Sequence, residues 1–350
     1  MIKKIRELAR KFDSKDIGID LGTANVLVYV EDKGIVLSEP SVVAIDIEAD
    51  KIIKVGRAAQ AMMGRTPEHI KTLRPLKNGV VAQYEVTLRM LQYFIRRACG
   101  DMFFRPRVMI CTPGGVSDVE KRAVMDAALE AGARMVRLID EPVAAAIGAG
   151  LNVNAPEGHL ILDIGGGVTD IAVVSLGGIV VSESIRVAGY QFDEAIVSYI
   201  QKKYAVHIGE RTAEQIKIRI GAVYEHKNSK TMKVRGRCMK EGLPKEITIS
   251  SKEMLEAMME PISAILEALC RVVERTPPQL VPDIINNGIT MTGGGSLLAG
   301  LDLLITDVTG IKAHLAKDTM LCVVTGTGKS LSKLAFWQER ENAEDALPIS

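Results

Sequence analysis

Two copies of one short pattern constrain the fold of this chain more than any other feature. "IGIDLGTANVLVYV" (17–30) and "LILDIGGGVTDIAVV" (160–174) each read as an apolar strand, an Asp-x-Gly turn with small residues, and a second apolar strand. Asp20 and Asp163 occupy the same place in the two copies. Each copy precedes further strand and helix patterns, so the economical prediction is a duplicated α/β half with a cleft between the halves.

The remaining patterns also favour the α/β class. Buried strands are predicted over 107–113 and 135–140, and a small β segment over 231–239 and 245–250. The apolar periodicity predicts helices over 117–133, 191–204, 212–224, 251–275 and 296–309. Ser117 and Glu120 have the spacing of a capping box at the start of the first of these helices.

The two glycine-rich hairpins have the chemistry of a phosphate site. Without a Cβ, glycine lets backbone N–H groups converge on an anion. Asp20 and Asp163, each at the end of a strand, could hold Mg²⁺ through its waters. Thr23, Asn25 and Thr169 could add polar contacts. One such hairpin alone is most simply an ordinary turn, whereas two with matched aspartates favour a polyphosphate clamp.

Glu141 is the next candidate, because "LIDEPVAAAIG" ends a predicted strand at a carboxylate and starts a helix at Pro142. It could act as a general base, or orient a water at a γ-phosphate. The alternative is an acidic residue that only complements the positive end of a helix.

Two further glycine-rich stretches resemble parts of known nucleotide-binding motifs without matching them. "TGGGS" (292–296) would let a flat ligand group lie close to the backbone, but it is not a G-x-G-x-x-G pattern. "VVTGTGKS" (323–330) ends like a P-loop, yet position 323, where that motif needs its first glycine, is Val. A P-loop is therefore excluded.

Composition excludes several classes of protein. The net charge is +1, from 44 basic and 43 acidic residues, so no nucleic-acid partner is predicted. The five cysteines form no C-x-x-C pair, which argues against a disulfide framework or zinc module and suits a reducing cytoplasm. No run of about 18 apolar residues is present, so no segment is predicted to span a membrane.

The N-terminal segment 1–14 has the pattern of a basic amphipathic helix. Four apolar residues recur at helical spacing among lysines and arginines: Ile2, Ile5, Leu8 and Phe12. Such a helix can lie in an anionic lipid interface. A helix that docks on its own domain is the alternative.

Several stretches together resemble MreB-type bacterial actins, including the Mbl branch. The resemblance covers roughly residues 17–335 and is carried, beside the motifs above, by "GIVLSEPSVVAID", "LRPLKNGVVAQYEVT", "IGERTAEQIK" and "RTPPQLVPDII". It implies an actin-like ATPase fold of the α/β class: two lobes, each with a smaller subdomain, around a central cleft for ATP or ADP with Mg²⁺.

The resemblance also implies domain bounds. The first lobe is expected over 15–150, with a small subdomain at about 34–76 and a returning helix at about 327–338. The second lobe is expected over 151–326, with a small subdomain at about 188–250. Residues 339–350 read as a polar tail.

Site residues follow from the same resemblance, position by position. Glu141 matches the catalytic glutamate, with Asp20, Asp163 and Thr169 as the further catalytic positions. Glu214 and Lys217 match residues near the ribose and adenine. The "GTG" turn would place Gly326 near the base and leave Lys329 a solvated helix residue. The loops that match nucleotide-binding positions comprise Gly22, Thr23, Ala24 and Asn25, then Gly165, Gly166 and Gly167, then Gly293, Gly294, Gly295 and Ser296.

The chain departs from the family pattern at three places. Val168-Thr169 replaces the usual Thr-Thr, which allows weaker hydrolysis, although conventional actin also carries Val-Thr here. Gln83 stands where an acidic residue is common, and Val324-Thr325 precedes the "GTG".

Relatives bind lipid through an N-terminal helix, a hydrophobic loop, or both. Met102, Phe103 and Phe104 lie where that loop is expected, with core packing as the alternative. Two weak anchors suffice for reversible binding when a polymer presents many copies.

The sequence therefore predicts a slow ATPase that polymerises with itself, as paired protofilaments, on the inner face of the cell membrane. By resemblance it would act with the cell-wall elongation machinery and help determine cell shape. The alternatives are an actin-superfamily small-molecule kinase, a chaperone-type ATPase, and a filament former with weakened ATPase. The chain lacks an evident acceptor motif for the kinase and a substrate-binding domain for the chaperone.

Overall fold

The computed structural model describes residues 16–77, 79–100, 105–224, 230–332 and 334. Within these ranges the chain forms two compact units. Unit 1 runs to Gly150 and resumes at Leu321, and unit 2 spans Leu151–Met320. The predicted membrane contacts at Ile2, Ile5, Leu8, Phe12, Met102, Phe103 and Phe104 lie outside the described residues, as does the tail 339–350.

Unit 1 is built on a five-stranded sheet and a smaller three-stranded one. Its strands are β1 (Ile17–Leu21), β2 (Asn25–Val30), β3 (Gly34–Pro40), β4 (Val43–Asp46), β5 (Lys51–Val55), β6 (Ile70–Leu73), β7 (Leu76–Lys77), β8 (Val80–Val81), β9 (Arg107–Thr112) and β10 (Met135–Asp140). Its helices are α1 (Arg57–Gln60), α2 (Tyr84–Cys99), α3 (Asp118–Glu130), α4 (Glu141–Gly148) and, after the return at Leu321, α10 (Cys322–Lys329).

Unit 2 has a second five-stranded sheet and its own three-stranded sheet. Its strands are β11 (His159–Ile164), β12 (Thr169–Ser175), β13 (Gly178–Ile185), β14 (Val206–His207), β15 (Thr231–Cys238), β16 (Pro244–Ser250), β17 (Ile289–Thr292) and β18 (Ala313–Leu315). Its helices are α5 (Gly189–Tyr204), α6 (Glu210–Ile220), α7 (Ser251–Arg275), α8 (Val281–Asn287) and α9 (Leu301–Thr309). Short 3₁₀ turns cover Gly295–Leu297 and Thr319–Leu321.

The two large sheets share one topology, which confirms the predicted duplication. Unit 1 has the order β3-β2-β1-β9-β10, and unit 2 has β13-β12-β11-β17-β18. In unit 1, β1 is antiparallel to β2 and parallel to β9. In unit 2, β11 is likewise antiparallel to β12 and parallel to β17. The central strands are buried on both faces, as their unbroken apolar runs require.

Most predicted elements agree with the structure, and the differences occur at glycines. Ser117 caps α3 through a capping box with Glu120, as predicted, and α7 covers the predicted 251–275. The helix predicted to run to 224 instead ends at Ile220, followed by Gly221. The helix predicted from 296 is split, because Gly300, at φ +80°, lies in the left-handed region just before α9.

The prediction of a "GTG" turn at 326–328 is wrong, because these residues lie inside α10. A Cβ on Gly326 would lie 1.8 Å from the carbonyl oxygen of Ala144, and one on Gly148 would lie 1.8 Å from that of Cys322. The glycines therefore allow α10 and α4 to cross in backbone contact. The chain returns to unit 1 at Leu321, earlier than the predicted 327, because the whole of α10 packs there.

Within the ranges described by the structure, no helix combines the length and apolarity needed to span a membrane. All five cysteines lie inside those ranges and are free thiols, four of them buried and Cys270 half-buried.

Candidate functional site

The first glycine hairpin joins β1 to β2 and is held by backbone contacts. A Cβ on Gly22 would lie 2.7 Å from the carbonyl oxygen of Asn25, so this tight turn requires glycine. The hydroxyl of Thr23 accepts a hydrogen bond of 2.8 Å from the Gly79 N–H. Thr23 is buried, and its side chain holds the hairpin in place, whereas Ala24 and Asn25 beside it are half-buried.

Asp20 and Glu141 come together at one edge of the unit 1 sheet, and both lie close to Cys111. Asp20 is the last residue but one of β1, Glu141 is the first residue of α4, and Cys111 is the last residue but one of β9. The Cys111 sulfur is 3.4 Å from Asp20 Oδ1 and 3.9 Å from Glu141 Oε1. Ligand atoms of the three side chains all lie within 4.8 Å of one another.

The electrostatics of this cluster keep Cys111 protonated. Burial, reinforced by the negative charges of Asp20 and Glu141, raises the pKa of the Cys111 thiol well above its ordinary value. The cluster therefore presents two carboxylates and one neutral S–H donor. Carboxylate oxygens are the ligands that a hard divalent cation prefers, so Asp20 and Glu141 fit Mg²⁺ and its bound waters. Cys111 was missed from the sequence, where it looked like one more apolar strand residue.

The second glycine hairpin joins β11 to β12 and is bound to the start of α5. The Gly165 N–H donates to the Val168 carbonyl across the turn. The carbonyl oxygens of Gly165 and Gly166 accept hydrogen bonds from the N–H groups of Gly189 and Tyr190, at 3.2 and 2.8 Å. Gly167 is buried beside them. The loop and the N-terminus of α5 therefore form one hydrogen-bonded assembly.

Asp163 ends this strand in a more buried setting than Asp20. Its side chain is 5% exposed and accepts a hydrogen bond of 2.6 Å from the Thr292 hydroxyl. Burial raises the pKa of Asp163 to about 6, although the Thr292 hydrogen bond opposes that shift. A cation close to Asp163 would stabilise the ionised carboxylate and bring this pKa down.

Thr169, which was predicted to be catalytic, lies in strand β12 and not in the glycine loop. It is fully buried at the start of β12, and its hydroxyl donates a hydrogen bond of 2.6 Å to the Val187 carbonyl. Val168, just before it, is nearly buried at 8% exposure. The Thr169 hydroxyl therefore stabilises the junction with α5, and a direct catalytic contact would require that bond to break.

In "TGGGS" (292–296), Gly293 and Gly295 are tightly packed, whereas Gly294 has room around it. Added Cβ atoms on Gly293 and Gly295 would each come within 2.3 Å of Ile164, so both glycines serve to pack against β11. Around Gly294 the nearest atom would be 3.9 Å away, on Met320. Ser296 is buried, and its hydroxyl donates to the Thr292 carbonyl. Gly294 is thus the position of this loop best suited to a flat ligand.

Lys217 is engaged inside unit 2 by α5. Its ammonium donates to the Gly189 carbonyl at 2.8 Å and pairs with Asp193 at 2.9 Å. Burial raises the pKa of Asp193 to about 6, against the opposing effect of the Lys217 charge. Glu214 lies exposed on the same helix. Lys217 therefore supports α5 and, through it, the second glycine loop. The sequence pattern did not reveal its ion pair with Asp193.

Gly326 lies inside α10 and not in the expected turn, and its place near a nucleotide base stays a prediction. It is buried against α4, and its predicted place near a nucleotide base rested on the turn that is absent. Lys329, in the last turn of the same helix, is exposed, as predicted.

Comparison with solved structures defines the class of the fold as actin-like. MreB5 of Spiroplasma citri, solved bound to ADP, superimposes with a TM-score of 0.89 at 40% sequence identity, over 93% of this chain and 98% of that one. MamK, solved as a double helical filament, has a TM-score of 0.78 at 20% identity, over 91% and 99% of the two chains.

Sequence comparison is more specific. The family model described as MreB/Mbl protein matches residues 14–339. The cell shape-determining protein Mbl of Bacillus cereus is 48% identical over 322 residues, which is 92% of this chain and 97% of that protein. This chain belongs to the MreB/Mbl family, as its motifs predicted.

Proposed function

We propose that this protein is a bacterial actin that binds and slowly hydrolyses ATP, polymerises into membrane-associated filaments and helps determine cell shape. The observation that carries the proposal is the approach of Asp20 and Glu141 around Cys111, in a chain of the MreB/Mbl family. A carboxylate that can hold a cation next to one that can orient water is what phosphoanhydride hydrolysis needs.

In this proposal the glycine hairpins of both units contact the phosphates. The backbone of the first hairpin and that of the second, around Gly165 and Gly166, provide N–H donors for the anion. Asp20 and Asp163 would hold Mg²⁺ through its waters, and bound Mg²⁺ would neutralise developing charge on the phosphates. That MreB5 binds ADP supports the choice of nucleotide.

Glu141 orients the attacking water and accepts its proton. Its position at the first residue of α4 is fixed by the close crossing of α10, which depends on Gly148 and Gly326. The Cys111 thiol contacts both Glu141 and Asp20 without adding a charge. Hydrolysis is expected to be slow, since Val168 lacks the hydroxyl usual in the family and the Thr169 hydroxyl is bonded to the Val187 carbonyl.

Polymerisation and membrane attachment are proposed from relatives and sequence. MamK forms a double helical filament, and the relative Mbl is a cell shape-determining protein. The basic amphipathic pattern of residues 1–12 and the apolar Met102–Phe104 supply two weak lipid anchors. On this basis the protein lies on the cytoplasmic face of the membrane and acts with the cell-wall elongation machinery.

The first test is sedimentation with Mg-ATP, with anionic or neutral vesicles, followed by negative-stain microscopy. ATP-dependent filaments that enrich on anionic vesicles, and lose that enrichment when residues 1–12 are deleted, are the expected result. A protein that stays monomeric in every condition would refute polymerisation and redirect attention to the small-molecule kinase alternative.

The catalytic assignment has a separate test. Glu141→Ala is expected to slow phosphate release about 100-fold or more, the usual contribution of a positioned base. Glu157→Ala, at an exposed position of unit 2, is the matched control. Equal phosphate release from wild type and Glu141→Ala would show that another group activates the water.

A further inference from the structure

Each of the two duplicated aspartates has a buried donor at the same place in the neighbouring parallel strand. Cys111 is the register partner of Asp20, and Thr292 is the register partner of Asp163. The thiol lies 3.4 Å from Asp20 Oδ1, and the hydroxyl lies 2.6 Å from Asp163 Oδ1. Both donors are almost fully buried, at 2% and 0% exposure.

The surrounding sequences have little in common, which makes the shared geometry informative. "VMICTP" around Cys111 and "ITMTGGG" around Thr292 differ in nearly every position, yet each delivers one uncharged donor to one carboxylate. A residue needed only for packing at either place could be apolar, as Ile110 before Cys111 and Met291 before Thr292 are. A donor is needed only where the orientation of the carboxylate matters, since a hydrogen bond to one oxygen limits rotation of the group.

We propose that Cys111 and Thr292 are positioning residues that orient Asp20 and Asp163 toward the metal–phosphate group of a bound nucleotide. The inference rests on the proposed nucleotide binding. Neither residue needs to touch the nucleotide, because each acts through its aspartate. In unit 1 the donor contacts a second carboxylate as well, since the Cys111 sulfur also lies 3.9 Å from Glu141 Oε1.

The donor-free variants Cys111→Val and Thr292→Val test this directly. Each is expected to raise the Mg²⁺ concentration for half-maximal ADP binding roughly three- to tenfold, the usual net effect of losing one hydrogen bond. Cys111→Thr, which copies the donor of unit 2, is expected to restore much of the wild-type value. If the donors merely compete with the cation, the required Mg²⁺ concentration would fall instead.

Matched controls separate positioning from packing. Thr290→Val makes the same change two residues earlier on β17, where the hydroxyl bonds His314. Cys238→Val repeats the Cys→Val change at a buried thiol of β15. Both controls are expected to leave the Mg²⁺ dependence unchanged, whatever they do to the melting temperature without nucleotide.

The readout is binding of a fluorescent ADP analogue during Mg²⁺ titration, so it does not depend on hydrolysis. If wild type binds no nucleotide, the proposed function fails. If wild type binds and Cys111→Val and Thr292→Val need no more Mg²⁺ than the controls, the positioning roles are refuted. Should a valine variant fail to fold, Cys111→Ala and Thr292→Ala remove the same donors without adding volume, and the same outcomes apply.

Discussion

Gly326→Ala tests whether α10 is a packing element or part of a nucleotide site. An added Cβ would lie 1.8 Å from the Ala144 carbonyl oxygen, whereas real Cβ atoms essentially never come within 3.0 Å of a neighbour. The two helices would have to move apart along their whole crossing, because the obstacle is backbone that cannot change rotamer. Overpacking of this kind costs about 3 kcal/mol.

Alanine also stabilises a helix relative to glycine, by about 1 kcal/mol. The net loss in the free energy of unfolding is therefore about 2 kcal/mol, or a melting temperature lower by roughly 4–8 °C for a unit of this size. Differential scanning calorimetry without nucleotide measures it. Gly209→Ala is the control, because no atom lies within 4 Å of the Cβ it would add.

The alternative reading of Gly326, as a residue beside the nucleotide base, makes the opposite prediction. Gly326→Ala would then weaken ADP binding and leave the nucleotide-free protein as stable as the Gly209→Ala control. That pair of results would refute the helix-crossing explanation.

Three further predictions concern unit 2. Asp163→Asn is expected to stabilise the nucleotide-free protein by about 2–3 kcal/mol at pH 7, because the raised pKa of about 6 makes the ionised carboxylate costly in the fold. The gain should vanish near pH 4, where Asp163 is protonated in the fold, and Mg²⁺-dependent ADP binding should be lost. Lys217→Met leaves the Asp193 carboxylate buried without its cation, so chemical denaturation should show a free energy of unfolding lower by about 3 kcal/mol. The double variant Lys217→Met, Asp193→Asn should recover part of that loss. Val168→Thr supplies the hydroxyl usual in the family and is expected to accelerate phosphate release a few-fold, and an unchanged rate would show that this hydroxyl is not limiting.

Much of the fold was readable from the sequence because its signals are local or repeated. The paired Asp-x-Gly hairpins gave the duplication, and buried apolar runs gave the central strands. Ser117 and Glu120 marked a helix start because a capping box involves only residues three apart.

The features that were missed depend on contacts between distant parts of the chain. Cys111 meets Asp20 only through strand register, and Asp193 meets Lys217 only through helix packing. The glycines of α10 were assigned to a turn from the family resemblance, and only the crossing with α4 explains them. Likewise, the local sequence does not indicate that the Thr23 hydroxyl bonds to Gly79 or that the Thr169 hydroxyl bonds to Val187.

The hydrogen bonds around Gly189 connect three parts of unit 2 in series. Its N–H binds the second glycine loop, its carbonyl binds Lys217, and Lys217 in turn binds Asp193 one turn further along α5. The loop therefore cannot shift alone: it must break these bonds or carry α5 and α6 with it. A small displacement of this loop would then be amplified, by the stiffness of two helices, into movement of a far larger part of unit 2.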